Sequence, residues 1–320
     1  MSESESRALP SAAGSRPQRP FLPPALAAPL LLLVVGAMIG ITAVNAKAAV
    51  PAGWSPLALL AWANLGAAAL QFAGSAAAGR RVNTSRPYLS YYLISGLLLA
   101  LPNALAFGAA QHVGAGIVAL CFAFPLILTY GLALCFGLER LQGQRLAGVL
   151  LGLAGALVIA LGDAALGTSS SFGLPSPWLL AALASPVVLA VGNLYRSLYW
   201  PQGADALALS PGMLLVGGSV LLAGVLAADV PLQPAAWNFA ATAFLVGQTA
   251  IFALLYVLYF QLQKLAGPVY LSQIGSVGAL VGLALATLVL AEPLTPKILA
   301  AGALVAGGIY LVNRGARRQA

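Results

Sequence analysis

The sequence predicts an all-α polytopic membrane protein of ten transmembrane helices arranged as two inverted five-helix repeats. Three observations lead there. Apolar residues make up 61% of the chain and charged residues only 7%, against roughly 25% charged in an ordinary soluble domain. Between Pro29 and Asn313 the chain divides into ten apolar stretches separated by short polar breaks, and about 20 apolar residues span a bilayer as a helix. Finally, the two halves share residues at a fixed offset.

The expected spans are Pro29–Val50, Pro56–Ala78, Tyr88–Ala110, Gly114–Phe136 and Leu146–Gly162, then Pro177–Leu198, Leu207–Ala228, Trp237–Phe260, Pro268–Ala291 and Ile298–Val312. Turn and charge residues mark the breaks: Pro51-Ala-Gly, Arg80-Arg81, Glu139-Arg140, Ser169-Ser-Ser, Pro201-Gln-Gly, Pro231 and Glu292-Pro293. Residues 1–24 hold Ser, Pro, Arg and Ala without an apolar run, so a disordered cytoplasmic tail is expected there. The first apolar stretch is long enough to span, and it reads as a retained helix rather than a cleaved signal. The organisation is then a tail at 1–24, a first repeat at 25–165, a second at 172–313 and a basic tail at 314–320.

The net charge of +8 is a topology signal, not a nucleic-acid footprint. With the N-terminus in the cytoplasm, thirteen of the fifteen basic residues, Arg145 and Arg196 among them, fall on the inner side, and only Lys47 and Lys297 fall outside. Both termini are therefore expected inside. The Ala/Gly/Leu-rich composition suggests a GC-rich bacterial genome and hence the inner membrane. Cys121 and Cys135 lie fourteen positions apart on one expected helix, about 21 Å at ~1.5 Å per residue, too far for a disulfide.

The repeat rests on paired positions. Gly114 and Gly267, Glu139 and Glu292, and Phe107 and Phe260 are each 153 residues apart, while an offset of 149 pairs Lys47 with Arg196. A unit of five spans enters the membrane from opposite sides in its two copies, an architecture many secondary transporters use. The stretch Phe124-Pro125-Leu-Ile-Leu-Thr-Tyr130, with Gly137-Leu-Glu139-Arg140-Leu141 and Gly148-Val-Leu-Leu-Gly152-Leu-Ala-Gly155 after it, resembles helices four and five of EamA-type members of the drug/metabolite transporter superfamily. Asn45-Ala-Lys47 resembles that family's first-helix ending. Helix two departs, carrying Trp62-Ala-Asn64 where relatives often have an Arg. The resemblance implies a transporter of small metabolites.

Enzymatic chemistry finds little support. His112 is the one histidine, at a helix junction, and no carboxylate pair falls inside a span as acid–base or metal chemistry would need. No phosphate-binding loop is present. No cofactor and no metal are expected. The expected partners are a small-molecule substrate and the lipid bilayer, with no nucleic acid and the chain a monomer or weak homodimer.

Polar and aromatic residues inside spans are the candidates for substrate binding: Asn45, Lys47, Asn103, Phe124, Tyr130, Asn193, Gln248, Tyr256, Gln273 and Ser276. Each could equally join helices through a hydrogen bond of roughly 0.6–2 kcal/mol; their grouping on a few helices favours one pocket, with Trp62 and Phe107 adding aromatic wall. Lys47 has two readings, a counter-charge for a substrate anion or a side chain snorkelling to the outer surface. Glu139 is a candidate gate, or else a partner of Arg140 or Arg145 or a cap for the following helix. Small-residue stripes at Gly148, Gly152, Gly155 and at Gly278, Gly282, Ala286 mark close helix contacts, and helices five and ten read as peripheral. The commitment is a secondary transporter, exporter or facilitator, of amino acids or drug-like amphipathic compounds, working by alternating access at a midplane pocket. Rival readings are an exchanger of nucleotide sugars or phosphorylated metabolites and a non-transporting scaffold.

Overall fold

The computed structural model describes residues 24–80, 82–136, 141–165 and 176–316. The expected tail at 1–24 (all but its last residue), the candidate gate Glu139, the Ser169 break and the last four residues lie outside them. Among the described residues every regular element is helical: α1 Pro24–Ala48, α2 Pro56–Ala77, α3 Arg86–Val113, α4 Ala115–Cys121, α5 Phe124–Cys135, α6 Gly143–Ala165, α7 Pro177–Leu198, α8 Ala206–Ala227, α9 Phe239–Leu271, α10 Ile274–Leu290 and α11 Pro296–Ala316, with one 3-10 turn at Val50–Ala52. Seven stretches are long and apolar enough to cross a membrane, α4 and α5 counting as one, and α10 and α11 are shorter apolar helices. The chain is a multi-pass membrane protein whose described residues form helices and their connections, with no strand.

Local sequence explains where these helices start. Proline opens α2, α3, α5 and α7 within the first two positions, where its missing N–H is no loss. Ser176 Oγ accepts from Leu179 N–H at 3.2 Å and Asn238 Oδ1 from Ala241 N–H at 2.8 Å, capping α7 and α9. The helices are largely apolar on all sides. On α3, Leu89, Leu93, Leu97 and Leu101 form an exposed stripe at four-residue spacing, while Ser95, Gly96 and Ala100 are buried. The leucine stripe is the face suited to lipid, while the buried face mixes these small residues with Tyr91, Tyr92, Leu99 and Phe107.

The structure departs from the expected spans at two places. The stretch Gly114–Phe136 is two helices, α4 and α5, joined at Phe122–Ala123. The stretches Trp237–Phe260 and Pro268–Ala291 are not cleanly separate: α9 continues to Leu271 across a break at Gly267, and a turn at Ser272–Gln273 precedes α10. Backbone conformation is the cause. Gly114 (φ 94°) and Gly267 (φ 75°) adopt angles that disfavour a side chain, and Pro268 restarts the helix after the second. Each half thus holds a glycine break, a short helical piece, a turn and a longer helix. The two turns meet: Gly275 lies against the Phe122 carbonyl with no room for a Cβ.

Small residues let α1 and α10 approach closely; a Cβ on Gly40 would stand 2.7 Å from the Gly278 carbonyl oxygen and 2.8 Å from Gly282 N. Likewise α6 packs on α11, where a Cβ on Gly308 would stand 2.6 Å from the Gly148 carbonyl. Most of the remaining packing also joins the halves: α2 with α8, α3 with α7 and α8, α9 with α1 and α2, α4 with α10, and α5 with α7, with α8 on α9 and α3 on α4 as lesser contacts within a half.

Candidate functional site

A cavity opens where the broken helices cross. Its walls are largely apolar: Ile39 from α1, Leu99 from α3, Phe122 and Pro125 from the α4–α5 region, and Phe252 and Leu255 from α9. A few polar groups converge on it, from Thr42, Asn103, Asn193, Arg196, Tyr256, Tyr259 and Ser272. An apolar chamber with a small set of placed polar groups is the usual form of a small-molecule site.

Of the residues singled out from the sequence, Asn103, Asn193 and Tyr256 line this cavity. Asn103 Nδ2 donates to the Leu99 carbonyl at 2.8 Å. Gln273 and Ser276 belong to the turn and first residues beside the wall residues Ser272 and Gly275, and Ser276 Oγ is buried without a partner. Asn45 and Gln248 meet each other away from the wall, Nδ2 donating to Oε1 at 2.6 Å. Phe124 and Tyr130 are buried in the protein but not on the wall, and the Arg145 guanidinium stands 5.0 Å over the Tyr130 ring. Trp62 lies at the bundle surface with its indole N–H bonded to the Leu232 carbonyl, and Phe107 is buried elsewhere. The aromatic wall is formed instead by Phe122, Phe252, Tyr256 and Tyr259.

Three residues escaped the sequence reading: Arg196, Tyr259 and Gln263. Arg196, counted there among inner-face charges, is 2% exposed and lines the cavity. Its Nη2 donates to Asn193 Oδ1 at 2.9 Å and to the Tyr259 hydroxyl at 3.0 Å, and the Tyr259 hydroxyl donates in turn to Asn193 Oδ1. Gln263 Nε2 ties Asn193's carbonyl (3.2 Å) to Ser197 Oγ (2.9 Å). Helical spacing held the signal. Gln248, Phe252, Tyr256, Tyr259 and Gln263 recur every three or four residues, one face of α9, and Asn193 and Arg196 are one turn apart on α7.

At the other end of the bundle, Lys47 closes α1 and does not line the cavity. Its Nζ donates to Glu292 Oε1 at 2.6 Å. The same carboxylate accepts from Ala115 N–H (Oε1, 2.9 Å) and Gly116 N–H (Oε2, 2.9 Å) at the start of α4. Gly114 and Gly116 permit that approach, since a Cβ on either would lie 3.1–3.3 Å from Oε2. Partial burial pushes the Glu292 carboxyl up, but the Lys47 and backbone hydrogen bonds outweigh it and hold the group below the usual carboxylate range. His112 stacks flat on Trp178, with ring centroids 4.0 Å apart. Among the described residues no three His, Cys, Asp or Glu side chains gather as metal ligands would.

Residues 26–161 match the model of the EamA-like transporter family, which bears out the resemblance drawn from the sequence over that stretch. None of the curated proteins compared with the chain matches it. Among solved structures, one titled only "Crystal structure of protein" is similar at 18% identity, with a TM-score of 0.60, covering 88% of this chain and 98% of that one. At that identity the likeness concerns the fold.

Proposed function

We propose that this chain, EamA-like over residues 26–161, is a secondary transporter of small organic metabolites such as amino acids or drug-like amphipathic compounds. It works by alternating access at the cavity between its two halves. The observation that carries the reading is the crossing of the two broken regions at that cavity, Phe122 of the first half against Gly275 of the second. Irregular backbone within a membrane is tolerated where protein buries it or where it lines a cavity, and transporters place substrates at such points.

An inverted pair of five-helix units is supported by how the contacts exchange. Swapping α1 with α7, α2 with α8, α3 with α9, α4–α5 with α10 and α6 with α11 turns the pair α3–α8 into α9–α2, α3–α7 into α9–α1, and α1–α10 into α7–α5. The glycine breaks at 114 and 267 exchange as well. Glu292 is the sequence counterpart of Glu139, 153 residues later, and in this reading the gating role belongs to these two carboxylates. The positive bias of the expected inner loops supports cytoplasmic termini in a bacterial inner membrane. The α6–α11 pair, off the cavity, leaves a monomer or a weak homodimer as the working unit.

The test is counterflow in liposomes with the purified protein, across labelled amino acids and amphipathic drugs. Exchange of at least one class, blocked by bulky replacement at Asn103, is expected. No exchange across the panel, together with full expression and folding, favours a non-transporting scaffold.

A further inference from the structure

We infer that Arg196 anchors a carboxylate, so that the molecule held in the cavity is a small monocarboxylate with an apolar or aromatic body. This deepens, and rests on, the reading of the cavity as a transport site.

Arg196 is a fixed positive charge, because a guanidinium does not lose its proton in a protein. It is 2% exposed, and among the described residues no aspartate or glutamate pairs with it; the ion pairs Lys47–Glu292 and Arg80–Asp205 leave it out. Its bonded neighbours, Asn193 and Tyr259, are neutral and occupy Nη2. Nε and Nη1 are buried with no hydrogen-bond partner, and the guanidinium stands 5.5 Å from the centre of the Tyr259 ring, a contact that carries no negative charge. Burying a cation without a counter-charge is strongly unfavourable, and a chain that keeps one beside a cavity leaves its compensation to whatever enters. The guanidinium is also seated: Gly192, one turn earlier, leaves the space it occupies, where a Cβ would lie 3.1 Å from both Nη1 and Nη2.

The chemistry of the rest of the cavity selects the ligand. An unpaired guanidinium with free N–H donors suits a carboxylate or phosphate oxygen. The cavity wall holds no second basic residue, since Arg196 is its one Lys or Arg and Lys47 is tied to Glu292. One charge matches a monoanion and leaves a phosphate dianion half-compensated. Beyond Arg196 the wall is Phe252, Leu255, Phe122 and Ile39, which fits an apolar body rather than a sugar. Such a carboxylate is supplied by an organic acid or by an apolar amino acid, whose ammonium would need the Asn103 carboxamide or the Ser272 hydroxyl.

The experiment compares 3-phenylpropionate, its neutral amide and L-phenylalanine, bound to the purified full-length protein and read by calorimetry and thermal melting. The carboxylate should bind roughly tenfold or more tightly than the amide. Arg196→Gln should erase that preference while leaving amide affinity in place. Arg196→Met should melt no lower than the wild type without ligand, because it removes an uncompensated buried charge. If Arg196→Gln does not fold, Gly192→Ala, which displaces the guanidinium, should weaken the carboxylate and spare the amide. The order of L-phenylalanine and the acid then distinguishes amino acids from organic acids. Equal binding of acid and amide by the wild type, absence of binding by both carboxylates, or a preference that survives Arg196→Gln would each overturn the assignment. An Arg196-dependent preference with no movement of any probe across liposomes would sink the transport reading and leave the anchor standing.

Discussion

Lys47 and Glu292, 245 residues apart in the chain, form an ion pair at 2.6 Å that ties the end of α1 to the end of α10 and, through Ala115 and Gly116, to the start of α4. The geometry favours a carboxylate for two reasons. It meets a lysine, and it sits at a helix N-terminus where unpaired N–H groups and the helix dipole attract negative charge. One carboxylate thereby holds three elements from both halves together at one end of the bundle.

Glu292→Ala should therefore cost more stability than Lys47→Ala. The first removes three hydrogen bonds to one charged group, about 1.5–3 kcal/mol in effect; the second leaves the two backbone bonds intact. Thermal melting in detergent measures both. A larger loss from Lys47→Ala would mean that the helix N-terminus contributes little.

The pH dependence of this clasp has a definite sign. The folded-state pKa of Glu292 lies below its ordinary value, so the clasp's contribution is complete above the unfolded carboxylate range near pH 4.3 and fades as pH falls through the lower folded value. The difference in melting temperature between the wild type and Glu292→Gln should be constant from pH 6 to 8 and shrink only in acid. A difference that shrinks between pH 7 and 6 contradicts the assigned shift.

Close packing of α1 on α10 gives a third expectation. Gly40→Leu should lower stability by about 1–3 kcal/mol or more, since the Gly278 carbonyl and Gly282 N leave no room. Gly247→Ala, with nothing within 4 Å of the added atom, should be neutral or stabilising by at most about 1 kcal/mol. Equal effects at the two positions would contradict the contact.

Orientation can be read by cysteine labelling in a background lacking Cys121 and Cys135. Single cysteines in the segments 51–55, 167–175 and 229–235 should react with an impermeant reagent from outside, and cysteines at either terminus only from inside. One terminus labelled from outside removes the inverted-repeat argument.

The sequence carried the helical class and most helix limits, because lipid imposes length and apolarity on each crossing; Pro177–Leu198 keeps its expected bounds. It also carried the small-residue stripes at Gly148 and Gly278, whose spacing alone fixes a face. The cavity was legible only in part. Position along a span gives depth but not azimuth, so the sequence groups Tyr130 and Phe124 with Tyr256 although they face other neighbours. Arg196 was hidden by its place near a helix end, where an arginine reads as an inner-face charge; burial by Tyr259 of α9, 63 residues away, is a tertiary fact. The Lys47–Glu292 pair was equally invisible, because the chain offers no local cue joining residues 245 apart.

Alternating access is tested most directly by a single cysteine at Thr42, which lines the cavity, in a protein lacking its native cysteines. An impermeant thiol reagent is applied to intact cells and, separately, to inverted vesicles, with and without a cross-linked Lys47→Cys, Glu292→Cys pair. The account predicts modification from both sides in the uncrosslinked protein and from the cytoplasmic side alone once the clasp is locked. Modification from a single side under all conditions, or from both sides with the clasp locked, would contradict it.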